Sequence, residues 1–400
     1  MQSNIYLINL RLVFYLIPLK KTNICHFSSV HKISDSRVFD RECLSLSEYF
    51  EVHLIGIGEA AHSAQNIHIH RIKQSKHPFL RLLKTRFICF YKAIQIDAKV
   101  YHFHDAELLW IGILLSVSGK HVIYDIHENT ASDIHYRKWL PKYLKPILVK
   151  VYELLMKLAQ NYIHFVPVIA NPKDLQKLFI EKDIPVTIVQ NFAELKLLKP
   201  YRVENRFKTQ TFRLIYVGRL RDYYYNIDPV LEAIYLLKQT GVLVYFDLIG
   251  LIEPQFFQGF SHLSFWPAIQ DQVQFHGELS RTNWLEISQH AQIGICIKNQ
   301  AEGEVLSHER KLFEYMALGL PSIFCNKQIY TNLNATEPIG IAVDIEQAEA
   351  IKQAIYSLMT DENRYAILAA NCLRLSDHSY NWETEFELLL NLYHQLLNKA

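Results

Sequence analysis

Glycine is scarce in this 400-residue sequence: 13 residues, about 3% against a usual ~7%. That excludes collagen-like, propeller and glycine-rich low-complexity chains. Cysteine is sparse too. Cys25, Cys43, Cys89, Cys296, Cys325 and Cys372 form no CxxC pair, so no cysteine zinc site is expected. Several sit in apolar runs such as IGICI and PSIFC, as buried thiols of a reducing cytosol do. No charge sign dominates: 42 Lys+Arg face 40 Asp+Glu, a net of +2. Wholesale nucleic-acid binding is therefore not expected. Long apolar runs are missing as well. Residues 1–19 are apolar but broken by Arg11, and they lack a basic start and a small-residue cleavage site. This leader, taken as 1–21, is either an upstream extension without a structural role or a weak membrane-surface anchor. There is no GxxxxGK[ST] loop, no GxSxG elbow and no HExxH.

Half of the residues are hydrophobic, enough for two sizeable cores. Short β-branched and aromatic runs recur, each followed by a helical stretch. In the first half they are Ile24–Ser28, Val52–Ile57, Val100–His104, Val122–Ile126, Ile163–Val168 and Val186–Val189. In the second they are Phe212–Val217, Val242–Ile249, Val273–His276, Ile293–Ile297, Ser322–Cys325 and Ile339–Val343. Helical spacing fills Ile227–Gln239 and Ile345–Met359. Apolar strands alternating with helices imply parallel sheets covered on both faces. The expected fold is α/β: two tandem doubly wound, Rossmann-like domains facing a cleft. The expected boundaries are 22–195 for the first domain, 196–209 for a linker, 210–375 for the second domain and 376–400 for a final helix.

Gly56-Ile57-Gly58-Glu59-Ala60-Ala61 matches a loose dinucleotide pattern. The acidic residue expected about 20 positions on is missing, so an ordinary strand-ending loop is the better reading. Residues 71–92 hold seven basic side chains and no acid, and 135–157 hold six against Glu153. These are either solvated helix faces or a cationic surface for anionic lipid headgroups or an anionic acceptor. The densest motif is residues 307–321, SHERKLFEYMALGLP. Leu312, Tyr315, Met316 and Leu318 mark the buried side of a short helix. Lys311 and Glu314, three apart, share a face. Gly319 ends the helix and Pro321 opens a strand. A carboxylate there can accept both hydroxyls of a ribose, and the helix amino end favours a diphosphate.

KLFEYMALGLPSI resembles the donor-nucleotide motif of family-4 glycosyltransferases, which have the GT-B fold. YHFHDAELLWIGILL, HVIYDIHENTASDI, LIYVGRL, DLIGL, VQFHGEL and SYNWETEFELLLNLYHQLL resemble other segments of that family in the same order. The resemblance covers about residues 22–398. It implies a retaining, metal-independent transfer of a sugar from a nucleotide-diphosphate donor to a hydroxyl, with no cofactor. It implies that Glu314 binds the donor ribose and that Arg219 binds the diphosphate, with Gly218, Lys311 and Gly319 completing the donor site. His127 would stand near the reacting sugar as a catalytic residue with Arg219. His31, Asp35, Arg37, His104, Asp105 and Glu128 are acceptor-side candidates.

Two departures stand out. Leu306 takes the place of the family's first glutamate, with Glu302 and Glu304 out of register. Tyr224 and Tyr225 replace its second cation and glycine, though Arg221 lies close by. The expected partners are a nucleotide sugar, a carbohydrate or lipid-linked acceptor and an anionic membrane surface. The expected setting is cytoplasmic, peripheral at the inner face of the membrane, in surface polysaccharide or glycolipid synthesis. The alternatives are a catalytically weak homologue acting as a partner subunit and a sugar-nucleotide epimerase.

Overall fold

A computed structural model describes residues 21–58, 66–73, 78–126, 130, 134, 140–168, 179–207, 211–220, 226–251, 260–297 and 309–399. The leader 1–20, His127, Glu128, Arg221, Tyr224, Tyr225, Glu302, Glu304 and Leu306 lie outside them.

The apolar runs build two six-stranded sheets. The first contains β1 (Asn23–Lys32), β2 (Glu51–Ile57), β3 (Ile67–Ile72), β4 (Val100–Phe103), β5 (His121–Ile126) and β6 (His164–Pro167). Their order across the sheet is β3-β2-β1-β4-β5-β6. The second contains β7 (Phe212–Val217), β8 (Val244–Ile249), β9 (Val273–Gly277), β10 (Ile293–Cys296), β11 (Ser322–Cys325) and β12 (Gly340–Val343), in the order β12-β11-β10-β7-β8-β9. Pairings run parallel, as in β1 with β4 and β7 with β10. Both orders are the same doubly wound pattern, with the order reversing beside β1 and beside β7. Ligands in such sheets bind beyond the carboxyl ends of the strands at those reversal points.

Helices of eight or more residues cover the sheets. In the first half they are α1 (Ser36–Cys43, wound as a π-helix), α2 (Pro78–Ile96), α3 (Leu109–Val117) and α4 (Lys145–Ala159). In the second they are α5 (Asp228–Gln239), α6 (Arg281–Ser288), α7 (Arg310–Ala317), α8 (Gln328–Thr336), α9 (Ala348–Thr360), α10 (Glu362–His378) and α11 (Trp382–Asn398). The chain divides into two compact units. One holds residues up to Ile126, Pro146–Val166 and the chain from Leu390; the other holds His127–Lys145 and Pro167–Leu389.

Two elements differ from the sequence reading. Val186–Val189 forms no strand; the run is short and follows Pro185, which has no N–H for a ladder. Ile67–Ile72 does form one, at the sheet edge. Its IHIHRI sequence places His68 and His70 on the face opposite Ile67 and Ile69, so it lacks the continuous apolar run of its neighbours. All six cysteines are buried free thiols.

Candidate active site

In the second unit, β7 runs into Gly218, whose N–H donates to the Ile249 carbonyl (2.9 Å). Gly250 in turn donates to Gly277 (2.7 Å), so the ends of β7, β8 and β9 are laced together by glycine turns. A Cβ on Gly250 would lie 2.1 Å from the Gly218 carbonyl oxygen, and φ at Gly250 is +130°, so only glycine fits. The next element inward is α7. Tyr315 of this helix accepts a hydrogen bond from the Val217 N–H (2.9 Å), which fixes α7 under β7.

That anchoring sets Lys311 against the glycine turn. Its Nζ lies 3.8 Å from the Tyr216 ring centroid and 3.4 Å from Glu309 Oε1. A Cβ on Gly218 would stand 3.0 Å from the same Nζ. Burial pushes the ammonium pKa down, but Glu309 outweighs it and holds the pKa well above the usual lysine range. Lys311 therefore stays charged. Glu314 faces a different partner. Its Oε1 accepts from Arg310 Nε (3.0 Å) and Nη2 (2.9 Å), with Arg281 Nη2 at 3.9 Å. Lys311 and Glu314 thus occupy one helix without pairing: the i+4 geometry gives Glu314 to Arg310. Glu314 is only 5% exposed. Gly319, at φ +70°, ends the helix. Arg219 is exposed, and its side chain makes no hydrogen bond or ion pair among the described residues.

The sequence reading passed over Glu309 and Arg281. Glu309 stands just before α7, buried beside Lys311 and the Tyr330 hydroxyl. Arg281 donates to Glu194 (2.8 Å), while among the described residues its buried Nε and Nη2 have no hydrogen-bond partner. Glu309 stands three positions after Leu306, the place of the family's first glutamate, and that proximity is its signal in the sequence. Nothing in the order of the sequence links Arg281 to Glu314.

In the first unit, the loop after β1 is tied to Asp105, which follows β4. Asp105 Oδ2 accepts from Ser28 Oγ (2.8 Å) and from the backbone N–H groups of Ser29 (2.6 Å) and Val30 (3.2 Å). His31 Nε2 lies 3.5 Å from Asp105 Oδ1, and His31 Nδ1 lies 3.6 Å from Asp35 Oδ2. Asp35 also accepts from the N–H groups of Arg37 (2.9 Å) and Val38 (3.1 Å), capping α1. Burial raises the Asp35 pKa, but the His31 hydrogen bond and these N–H groups outweigh it and hold the carboxyl well below its usual range. The structure therefore brings His31, Asp35 and Asp105 together at a partly open position. It sends Arg37 and His104 elsewhere. Arg37 is buried and gives two hydrogen bonds to Asp125 (2.9 and 3.0 Å), and His104 turns to Asp125 and His26.

Residues 199–373 match the family described as Glycosyl transferases group 1. No curated protein matches the chain significantly. Several solved structures match nearly its whole length. Sucrose-phosphate synthase from Thermosynechococcus elongatus is 15% identical, with a TM-score of 0.73 over 95% of this chain and 100% of that one. HepE from Anabaena, solved with UDP and glucose, is 12% identical, with a TM-score of 0.67 over 93% and 99%. A glycosyltransferase from Rickettsia africae is 14% identical, with a TM-score of 0.69 over 95% and 100%. The fold is GT-B. Within this GT-B chain, Gly218, Arg219, Lys311, Glu314 and Gly319 all fall inside the matched segment 199–373. His31, Asp35 and Asp105 fall outside it, on the first sheet.

Proposed function

We propose that the protein transfers a sugar from a nucleotide-diphosphate donor to a hydroxyl acceptor with retention at the anomeric carbon. The observation that carries this reading is the end of β7. A glycine turn there leaves backbone open, beneath a charged lysine and beside a helix bearing a buried glutamate. Glu314 would accept the ribose hydroxyls. Lys311 and the exposed Arg219 would hold the diphosphate, helped by the amino end of α7. In the reaction, the bond from the anomeric carbon to the phosphate oxygen breaks and the electron pair leaves with the diphosphate. Arg219 and Lys311 stabilise that charge. The acceptor oxygen attacks the same face, and its proton passes to the departing phosphate. His31, set between two carboxylates, would orient the acceptor hydroxyl.

The acceptor we propose is lipid-linked and presented at an anionic membrane surface. Among the described residues no helix is long and apolar enough to cross a membrane. On α4, however, Ile147, Val151, Leu154 and Leu158 are exposed at helical spacing. The exposed Lys142, Lys150 and Lys157 lie on or beside that helix. Apolar and cationic groups together suit peripheral docking.

The test is nucleotide release from a panel of UDP- and GDP-sugars with the purified chain. Arg219→Ala and Glu314→Gln should each cut release at least tenfold, and Glu314→Gln should weaken nucleoside-diphosphate binding by calorimetry. Full activity in both variants would overturn the assignment.

A further inference from the structure

The first sheet carries a second polar centre that the proposed transfer does not use. His26 of β1 and His102 of β4 are register partners, and His104, two residues on, faces the same way. Their rings stack, with centroids 4.5 Å apart for His26–His102 and 4.8 Å for His102–His104. Glu42 of α1, Asp125 of β5 and Tyr393 of α11 close over them, and all six residues are buried. Three imidazoles and two carboxylates away from water are costly unless paired.

The pairing is incomplete. Asp125 is taken by Arg37 through two hydrogen bonds and also faces His104 Nδ1 (3.3 Å). The Tyr393 hydroxyl lies between His26 Nε2 (2.9 Å) and His102 Nδ1 (3.0 Å). Among the described residues neither oxygen of Glu42 has a hydrogen bond, and neither does His102 Nε2. Glu42 has ion-pair neighbours there: Arg37 Nε at 3.1 Å, His26 Nδ1 at 3.7 Å and His104 Nε2 at 3.8 Å. His26 Nδ1 and His104 Nε2 share a hydrogen bond of 3.2 Å.

Those three separations define a coordination triangle. The point equidistant from Glu42 Oε2, His26 Nδ1 and His104 Nε2 lies about 2.1 Å from each atom. That is the bond length of zinc to imidazole nitrogen and carboxylate oxygen. The outward nitrogens are already engaged, His104 Nδ1 by Asp125 and His26 Nε2 by Tyr393. Ligating histidines are oriented by such outer partners. Glu42, His102, His104 and Asp125 each bring a donor atom within 4.8 Å of the others.

We propose that a divalent transition-metal ion of the zinc class binds here. It would be held by His26 Nδ1, His104 Nε2 and Glu42 Oε2, with His102 as the fourth donor. The ion would bind Glu42 Oε2, leaving Oε1 to Arg37. It would also join β1, β4 and α1, with α11 attached through Tyr393. Such an enclosed site loads during folding and stabilises the first unit rather than acting on substrate.

The experiment uses the tag-free full chain produced in zinc-supplemented medium and dialysed. Elemental analysis should find about one zinc per chain. X-ray absorption at the zinc edge should show nitrogen and oxygen neighbours with imidazole scattering. Glu42→Gln and His26→Gln should each lose at least 80% of the metal. His53→Gln/His70→Gln is the control, because those residues form a separate, partly exposed pair on β2 and β3, with Nδ1 of His53 3.0 Å from Nε2 of His70. That double variant should keep its metal. Less than a tenth of an equivalent in the unaltered chain would overturn the proposal. So would sulfur neighbours from the cysteines, or loss of metal in the control. If the Glu42 and His26 variants do not fold, the absorption spectrum of the unaltered chain decides.

Discussion

Replacing Lys311 by methionine removes a buried charge while nearly keeping the side-chain length. The lysine Nζ sits 3.4 Å from Glu309 Oε1 and 3.8 Å over Tyr216, with both ion-pair partners almost fully buried. Glu309 would lose its cation inside the protein. Removing one partner of such a pair costs about 3–5 kcal/mol. For a unit of this size each kcal/mol moves Tm by about 2–4 °C, so the drop is on the order of 10 °C. The pH dependence follows from the raised lysine pKa. The pair's contribution is fully present below the unfolded-state lysine pKa of about 10.4, and it fades only as pH rises through the higher folded value. The deficit of Lys311→Met should therefore be flat from about pH 6 to about 10 and shrink only above that. Lys311→Met/Glu309→Gln should recover most of the loss, because no lone charge remains buried. Urea titration followed by the fluorescence of Trp266 and Trp284 measures all three proteins. A single variant within 1 kcal/mol of the parent would refute the reasoning, and so would a double variant no more stable than the single one. Donor affinity separates stability from function. If the double variant regains nucleoside-diphosphate binding as well as stability, Lys311 has no place in the donor site.

Two more outcomes are expected. The chain should sediment with vesicles containing anionic lipid and not with neutral ones; high salt and Ile147→Glu/Leu154→Glu should each abolish this. Equal sedimentation with both lipids would exclude docking by α4. Separately, the first unit should weaken in acid. Burial, then Lys399, pushes the His164 pKa down to about 4, while an unfolded histidine titrates near 6.5. The stability this neutral ring preserves is complete above about pH 6.5 and is lost as pH falls toward 4, up to about 3 kcal/mol. Urea midpoints at pH 7 and 4.5 should therefore differ less in His164→Gln than in the parent, and equal differences would refute the assignment.

The sequence yields most of the fold because its strands are buried on both faces and so read as unbroken apolar runs. Phe212–Val217 and Ser322–Cys325 are strands with those bounds. Ile67–Ile72 escaped because histidines alternate with its isoleucines, which hides an edge strand from a search for apolar runs. The residues proposed for the donor side, Gly218, Lys311 and Glu314, lie in short motifs whose local geometry follows from chain order. Pairings across long gaps were not legible. Lys311 and Glu314 share a helix face at three-residue spacing, yet they pair with Glu309 and Arg310. His104 and Arg37 looked like acceptor-side groups. Only the strand register, which sets His26 against His102 and brings Asp125 alongside, shows why they turn inward.

Four of the 13 glycines lie in the first 200 residues and nine in the second 200, and this unevenness acquires a physical meaning from the two reversal points. At the end of β7 the turns are made by glycines, so Lys311 stands against bare backbone with no side chain in between. At the end of β1 the same topological position is closed by a carboxylate. Asp105 gathers the Ser28 hydroxyl and the N–H groups of Ser29 and Val30, doing with hydrogen bonds what glycine does with conformational freedom. The two solutions are not chemically equivalent. An anion approaching the β1 loop meets Asp105 and Asp35, whereas one approaching the β7 turn meets Lys311 and Arg219. A diphosphate is therefore favoured on the second sheet and disfavoured on the first. A hydroxyl-rich neutral group suits the loop that holds His31 between its two carboxylates. That division supports a donor on one sheet and an acceptor on the other, and it arises from where the chain places its glycines.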